Sequence, residues 1–409
     1  MQQISFDSSE KRFLLQTMDC SYGLGISPTT GLPVHLHFGK HLDSPDELPS
    51  PDEVQNIPHI RESRRLHAFQ EYPAFHSALY SESCLLALHS SGSRGTRLEF
   101  DSFQLRSEGN AETLELLLVD KLHQLFVTLV YTVYPDSPLL DRRAVIRNGG
   151  TAPVTLQQAF SASLPLPWSD TPYRITHLYG RWAAEGQIAH TVPEAGKLVL
   201  ESRTGLSGPF AVPYFALDGG NADELSGEVF FGALHWSGNW KITVERDPYD
   251  RTAVTGGIHD FDNRLILKPG ESFTTPVFSG GWSPAGFSGA SRVLHRYQMR
   301  HVLPPVIAAE PMPVIFNSWG CINIHVNEEN ILRAAKLASR IGAELFVIDD
   351  GWQHALGDWF PDPVKFPNGL KPVIETVRSL GMEFGLWVEI ESYELASDLY
   401  KAHPEWAMR

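Results

Sequence analysis

Residues 344–353 read ELFVIDDGWQ. Four apolar residues, Leu345 to Ile348, lead into two adjacent carboxylates, Asp349 and Asp350, and then into Gly351 and Trp352. A short apolar run of this kind suits a strand buried on both faces, and its flanks arbitrate between strand and helix. Upstream, Asn327 is a helix cap with Glu328 and Glu329 in the first turn, where the helix dipole favours anions. Ile331, Ala335, Ala338 and Ile341 form the apolar stripe of that helix, and Gly342 is its stop. Downstream, Leu370, Val373, Ile374, Val377 and Leu380 line a second helix that Gly381 ends. "PVIFNSW" (313–319) supplies a further buried strand, "FGLWVE" (384–389) the third strand, and residues 394–402 a third helix. Alternation of strand and helix predicts the first three βα units of a (β/α)8 barrel over 313–409.

Each predicted strand ends in polar or aromatic residues: Asn317 and Trp319, then Asp349 and Asp350, then Trp387 and Glu389. In such a barrel the C-terminal strand ends form the site. Neighbours in an extended strand face opposite ways, so both carboxylates meet one ligand only if the backbone turns, and Gly351 permits that turn. Carboxylates accept charge-assisted hydrogen bonds from hydroxyl groups. A flat indole covers the apolar C–H face of a sugar ring. The acid pair with Trp319, Trp352, Trp359 and Trp387 therefore reads as a carbohydrate pocket. Two alternatives stand beside it. The aspartates can be turn residues and the tryptophans core, or the pair can hold magnesium through oxygen ligands, although no phosphate-cradling glycine loop accompanies it. A retaining glycosidase needs two carboxyls ~5–5.5 Å apart across the scissile bond. Adjacent residues cannot easily straddle a bond, so Asp349 and Asp350 are assigned to binding.

The preceding residues read differently. "LHQLFVTLVYTVY" and "GEVFFGALHWSGNWKITVE" alternate, and "NRLILKPGESFTTPVF" has Pro-Gly between two runs. Short strands punctuated by Gly, Pro, Asn and Asp predict a large antiparallel sandwich over 1–285. Residues 40–70 are polar and proline-rich and read as a long loop, with a short basic run, RESRR, at 61–65. Residues 286–312 read as a helical linker that Pro304 and Pro305 interrupt. His35 and His37 share a strand face with His41 nearby; a solvated face competes with a metal site there, and no cysteine is close.

Composition bounds the function. With 33 Lys+Arg against 48 Asp+Glu the formal charge is −15, which argues against non-specific nucleic-acid binding and against an anionic membrane surface. The 11% aromatic share excludes a disordered acidic chain. The opening MQQISFDSSEKRF has no apolar signal core, and Cys20, Cys84 and Cys321 are odd in number and far apart. Reduced thiols in a cytoplasmic protein are the expectation.

The segments "FNSW", "NEENILRAAKLASRIGAELFVIDDGW", "LGDWFPDPVKFPNGLKPVIETVRSLGMEFGLWVE" and "SDLYKAHPEW", with "QEYPAF", "HLYGRWAAE", "SGNWKITVE" and "LKPGESFTTP" upstream, closely resemble the α-galactosidases of glycoside hydrolase family 36. That resemblance implies an N-terminal β-supersandwich, a catalytic (β/α)8 barrel and a C-terminal β domain. It implies that Asp349 and Asp350 hold galactose through its axial 4-hydroxyl and its 6-hydroxyl, and that Trp319 and Trp387 line the pocket. Trp182 resembles a sandwich tryptophan that reaches toward the barrel mouth. Asp43 resembles an acidic loop residue that reaches a neighbouring subunit in tetrameric members. The chain departs from the family at "NSWGCINI", at the short stretch between "DDGW" and "LGDW", and at "EIES". These departures bear on the outer subsites.

The family's nucleophile lies in a Lys-Trp-Asp segment after the fourth barrel strand and its acid/base after the sixth. Neither segment occurs here, so the expectation is an α-galactosidase's sugar-binding front part that is inactive alone. A close alternative is an α-N-acetylgalactosaminidase or galactosyl transferase of the same family. A third is a non-catalytic galactose-binding module. The implied partner is an α-galactoside such as melibiose or raffinose, and the implied assembly a homo-oligomer. No cofactor or metal is implied, since hydrolysis by two carboxylates needs none.

Overall fold

Period-2 alternation builds the N-terminal part. In the strand Ala111–Asp120, Leu114, Leu116 and Leu118 face inward, and in Leu125–Val133 the inward set is Val127, Leu129, Tyr131 and Val133. The two pair antiparallel within a ten-stranded sheet. A six-stranded sheet includes Val154–Pro165, and a four-stranded meander runs through Ile4–Asp7, Arg12–Gln16, Cys20–Ile26 and Pro33–Lys40. One apolar core draws from all of them: Phe13 and Tyr22 from the meander, Leu116 and Phe215 from the large sheet, Phe160 and Trp240 from the third. The expected antiparallel sandwich is what forms.

The computed structural model describes residues 3–52, 69–75 and 81–408, in two units, Met1–Val302 and Leu303–Arg409. Much of the long loop expected over 40–70, including the basic run at 61–65, lies outside the described residues. Its start is ordered by Ser44 and Glu47, which cap the single turn Pro45–Glu47 reciprocally.

Three details of the sandwich differ from a local reading. "GEVFFGALHWSGNWKITVE" contains two strands, Val229–Leu234 and Trp240–Arg246, that belong to different sheets. The runs on either side of Pro269-Gly270 do not pair with each other. Leu265–Leu267 joins Val154–Leu156, whereas Ser272–Thr274 joins Val145–Arg147. The helix expected as part of a linker, Gly286–Tyr297, packs on the sandwich, burying Ala290, Val293 and Tyr297 against Leu139 and Phe231. It widens into a π-helical turn, Gln298–Val302, and stops where Pro304 follows.

In the second unit Ile315–Asn317, Leu345–Ile348 and Glu383–Leu386 form a parallel sheet with the middle segment at its centre. The helix Glu328–Arg340 is capped by Asn327, whose side chain accepts the Asn330 N–H. It buries Ile331, Ala334, Ala335 and Ala338 against Phe346 and Ile348, and the helix Lys371–Ser379 adds Val373 and Val377. The expected order of parallel βα units is therefore present. Corrections concern the ends. Ile341 is exposed, because the helix stops at Arg340 and Ile341 is its cap. "PVIFNSW" is not a buried strand. Val314 and Ile315 are exposed, because this strand is at the sheet edge, paired on one side only. The third strand ends at Leu386, and the third helix is the short Asp398–Ala402, capped by Ser397.

One charged pair lies inside the sandwich. Glu71 and Arg142, both nearly inaccessible, are 2.9 Å apart. Removing one partner of a buried pair leaves an uncompensated charge, typically at a cost of about 3–5 kcal/mol. Glu71→Ala is expected to lower unfolding stability by that amount in urea titrations, whereas removing an exposed pair such as Lys371–Glu375 should change it by less than about 1 kcal/mol. Burial alone pushes the Glu71 carboxyl up, but Arg142 and the hydrogen bonds from His35 and Tyr131 hold it below its ordinary value. Its contribution is thus present above the ordinary carboxylate range and is lost as pH falls through the lower folded-state value. Acid titration of wild type against Glu71→Ala should show the stability difference shrinking only in that acidic window.

Candidate functional site

Parallel register sets the geometry. Asn317 pairs with Val347 and Leu386 with Ile348, so all three chains leave the sheet at one edge. There the backbone of the central strand turns at Gly351, whose φ is +100°. A Cβ at Gly351 would sit 3.2 Å from the Ile324 carbonyl oxygen. The turn that two adjacent carboxylates need to share a ligand is present.

Both carboxylates are oriented by neutral groups. Asn317 Nδ2 donates to Asp349 Oδ2 at 2.6 Å, and Asp349 N–H donates to Ser318 Oγ at 2.9 Å. Asn317 Oδ1 meanwhile accepts the Trp319 N–H at 2.8 Å. Gln353 Nε2 and the Gly351 N–H donate to Asp350 Oδ1 at 2.6 and 2.7 Å. Among the described residues no Lys, Arg or His pairs with either aspartate, and no hydrogen bond reaches Asp350 Oδ2. Two half-buried acceptors without a counter-ion suit hydroxyl donors. Lys365 is nearby in the chain fold but spends its ammonium on the Gly351 carbonyl, 2.6 Å away.

The tryptophans divide. Trp352 is 2% exposed, belongs to the core, and its indole N–H donates to the Trp387 carbonyl at 2.9 Å. It is therefore core rather than pocket lining, because the turn at Gly351 sends it inward. Trp387 has left the strand and meets Trp359 edge-on, with ring centroids 6.0 Å apart. Trp319 opens a single helical turn and is 40% exposed. The unassigned positioning groups are Asn317, Ser318 and Gln353. Asn317 was visible as a polar strand end, but its pairing with Asp349 needed the register.

The sandwich candidates are both solvent-facing. Trp182 is 81% exposed in the two-residue connection between Arg174–Arg181 and Ala184–Thr191, which excludes a core role within its unit. Asp43 is exposed, 3.7 Å from His41. The histidines of the "VHLHFGKH" stretch do not converge. His35 Nδ1 faces Glu71 at 3.2 Å, and His37 Nε2 meets the Lys40 carbonyl at 2.8 Å.

The chain thus combines antiparallel sheets with parallel βα units, and its paired carboxylates stand at the end of the central parallel strand. Comparison with known proteins names the family. Residues 31–268 match the glycosyl hydrolase family 36 N-terminal domain and residues 272–409 match melibiase. The chain belongs to glycosyl hydrolase family 36, the α-galactosidase family. It is 32% identical to α-galactosidase AgaA of Geobacillus stearothermophilus, over 99% of this chain and 59% of that protein. It is 30% identical to α-galactosidase Mel36A of Lactobacillus acidophilus, with the same coverage of 99% and 59%. Crystal structures agree. AgaB of G. stearothermophilus superposes with a TM-score of 0.89 at 32% identity, over 99% of this chain and 59% of that one. An AgaA variant in complex with raffinose gives 0.87 at 32%, over 97% and 59%. The chain thus spans about three fifths of the length of these relatives. No helix among the described residues is long and apolar enough to cross a membrane.

Gly351→Ala places an L-residue at positive φ, which costs roughly 1–2 kcal/mol. Urea unfolding should show a loss of that order. The near-ultraviolet signal of the tryptophans should change, since the same turn buries Trp352.

Proposed function

We propose that this chain carries the galactose-recognition face of a retaining α-galactosidase that releases terminal α-linked galactose from oligosaccharides such as raffinose. The observation that carries this reading is the pair Asp349 and Asp350. Each is held by a neutral amide, from Asn317 and Gln353, and neither is matched by a cation among the described residues. Two adjacent acceptors of this kind suit two hydroxyls of one sugar, the axial 4-hydroxyl and the 6-hydroxyl of galactose, with Trp319 and Trp387 against its apolar face. The raffinose and stachyose complexes of family members support the substrate class.

In this reading Trp182 adds an indole from the sandwich, and Asp43 reaches a neighbouring subunit in a homo-oligomer. The exposure of both side chains supports those roles. Cys20, Cys84 and Cys321 are unpaired, which supports a reducing, cytoplasmic setting. The nucleophile and the acid/base have no counterpart among these 409 residues. The chain by itself therefore recognises galactose and does not hydrolyse it.

Calorimetric titration with galactose tests the pair. Asp349→Ala should weaken binding by about 1.5–3 kcal/mol, roughly ten- to a hundredfold. Glucose, with its equatorial 4-hydroxyl, should bind far more weakly than galactose in the wild-type chain. Equal affinity for the two sugars overturns the assignment of the pair. A chromogenic α-galactoside should show no turnover above buffer; galactose-inhibitable turnover from a chain of verified mass refutes the inactive reading.

Trp182→Ala provides a separate check. An exposed side chain away from the core changes stability by within about 0.5 kcal/mol, so the melting temperature should hold while affinity for α-galactosides falls. A large fall in melting temperature with unchanged affinity would assign the ring to packing.

A further inference from the structure

Far in sequence from the paired aspartates, the sandwich unit holds an open cavity of about 590 Å³. That volume is within the range of small-molecule sites, roughly 300–1,000 Å³. Three segments meet around it: the end of the strand Pro33–Lys40, the connection 166–173 that follows Val154–Pro165, and the connection 219–228 between Tyr214–Asp218 and Val229–Leu234.

Its base is aromatic, and the two connections on it are pinned. Phe38 and Phe230 are buried with ring centroids 5.5 Å apart, and Tyr173 meets Phe230 edge-on at 6.0 Å. The Tyr173 hydroxyl donates to the Pro167 carbonyl at 2.9 Å, which holds the segment that carries Trp168. Arg174 fixes the other connection. Its guanidinium donates to both oxygens of Asp218, at 2.9 and 3.1 Å, and to the Ala222 carbonyl at 2.7 Å. Asp218 in turn accepts the Gly220 and Ala222 N–H groups at 2.8 and 3.0 Å, so Asn221 between them is held in a closed turn. A ligand therefore meets a pre-formed surface and does not have to order it.

The walls carry groups that the fold itself does not use. Trp168 is 42% exposed and meets no other ring among the described residues. Lys40, Asn221 and Glu228 are exposed, and none of their side chains has a hydrogen-bond or ion-pair partner among the described residues. Ser169 and Thr171 add two hydroxyls, 3.4 Å apart. Lys40 only donates, Glu228 only accepts, and the Asn221 amide and the hydroxyls do both. The formal charges of Lys40 and Glu228 cancel, so the set selects neither an anion nor a cation. A neutral ligand rich in hydroxyls, each a donor and an acceptor, satisfies such a mixed set, while its C–H face covers the exposed indole.

We propose that this cavity is a second saccharide-binding site, which stacks one ring of a neutral oligosaccharide on Trp168 and hydrogen-bonds its hydroxyls through Lys40, Asn221 and Glu228. The choice of an α-galactoside such as raffinose as its occupant rests on the functional reading above. The site shares no residue with the paired aspartates and binds independently of them.

Calorimetric titration of the 409-residue chain with raffinose tests this. Wild type should take up two equivalents. Asp349→Ala should leave one, and in that background Trp168→Ala or Glu228→Ala should weaken the remaining site at least tenfold. If wild type binds raffinose and Asp349→Ala does not, the second site is refuted and the acid-pair reading stands. If Asp349→Ala binds as many equivalents as wild type, the acid-pair reading fails and Trp168→Ala decides the second site. No binding to either chain refutes both. A loss below tenfold in the Trp168 and Glu228 variants also overturns the proposal. So does a fall in sedimenting mass of Trp168→Ala with raffinose affinity unchanged, which would assign this face to a second copy of the chain. Circular dichroism checks folding. Should Asp349→Ala not fold, Trp168→Ala in the otherwise wild-type chain decides, since it should lower the uptake from two equivalents to one.

Discussion

The Arg142 guanidinium enters the sandwich core, where it is 2% exposed, and the surrounding structure is arranged to receive it. Its Nη1 donates to Tyr22 Oη at 2.8 Å and to the Ser163 carbonyl, and its Nη2 to Tyr131 Oη at 3.2 Å and the Glu71 carbonyl at 3.1 Å. Both tyrosines also donate to the Glu71 carboxylate, at 2.7–2.9 Å. Burial pushes both phenols well up, so they stay protonated and remain donors. Tyr22 belongs to the four-stranded meander, Tyr131 and Arg142 to the ten-stranded sheet, and Ser163 to the six-stranded one. A charge that must be fully satisfied in the interior thus specifies how the three sheets meet. Apolar packing alone tolerates many registers.

The second unit applies a comparable constraint at smaller scale. The central strand buries Phe346 and Ile348 and then has to present two carboxylates where the next apolar group is Trp352. A turn at positive φ resolves this conflict: it sends the indole back into the core and leaves the acids at the sheet edge. Neutral amides orient the acids, so their charge is not neutralised within the unit. An arginine in the place of Asn317 or Gln353 would spend that charge within the protein. The burial of Trp352 and the placement of the two acids are therefore consequences of one local backbone choice.

Much of this was legible because helix and strand repeat side chains with different periods. The inward leucines of Ala111–Asp120, the capped helix after Asn327 and the turn at Gly351 all follow from local pattern. Pairing choices do not. Val229–Leu234 and Trp240–Arg246 look like one alternating run, yet they join different sheets, since alternation reports a face and carries no information on the neighbour. Trp352 and Trp387 likewise look equivalent as aromatic residues next to acids. Their fates part because one follows the turn and the other ends a strand. The clamp of Asn317 on Asp349 depended on the parallel register of two strands 32 residues apart.

By itself the sequence determined the change from period-2 to βα architecture, the strand that ends in paired carboxylates and, through its resemblance, the family. Each of these depends on residues close together in the chain, where spacing is set by covalent geometry. Tertiary structure alone decided that Glu71 would neutralise Arg142 and that Asn317 and Gln353 would orient the acids. These contacts join distant segments, and their geometry is set by packing density and by the need to satisfy every buried polar group. A linear pattern of residue types does not encode which distant partner satisfies which group.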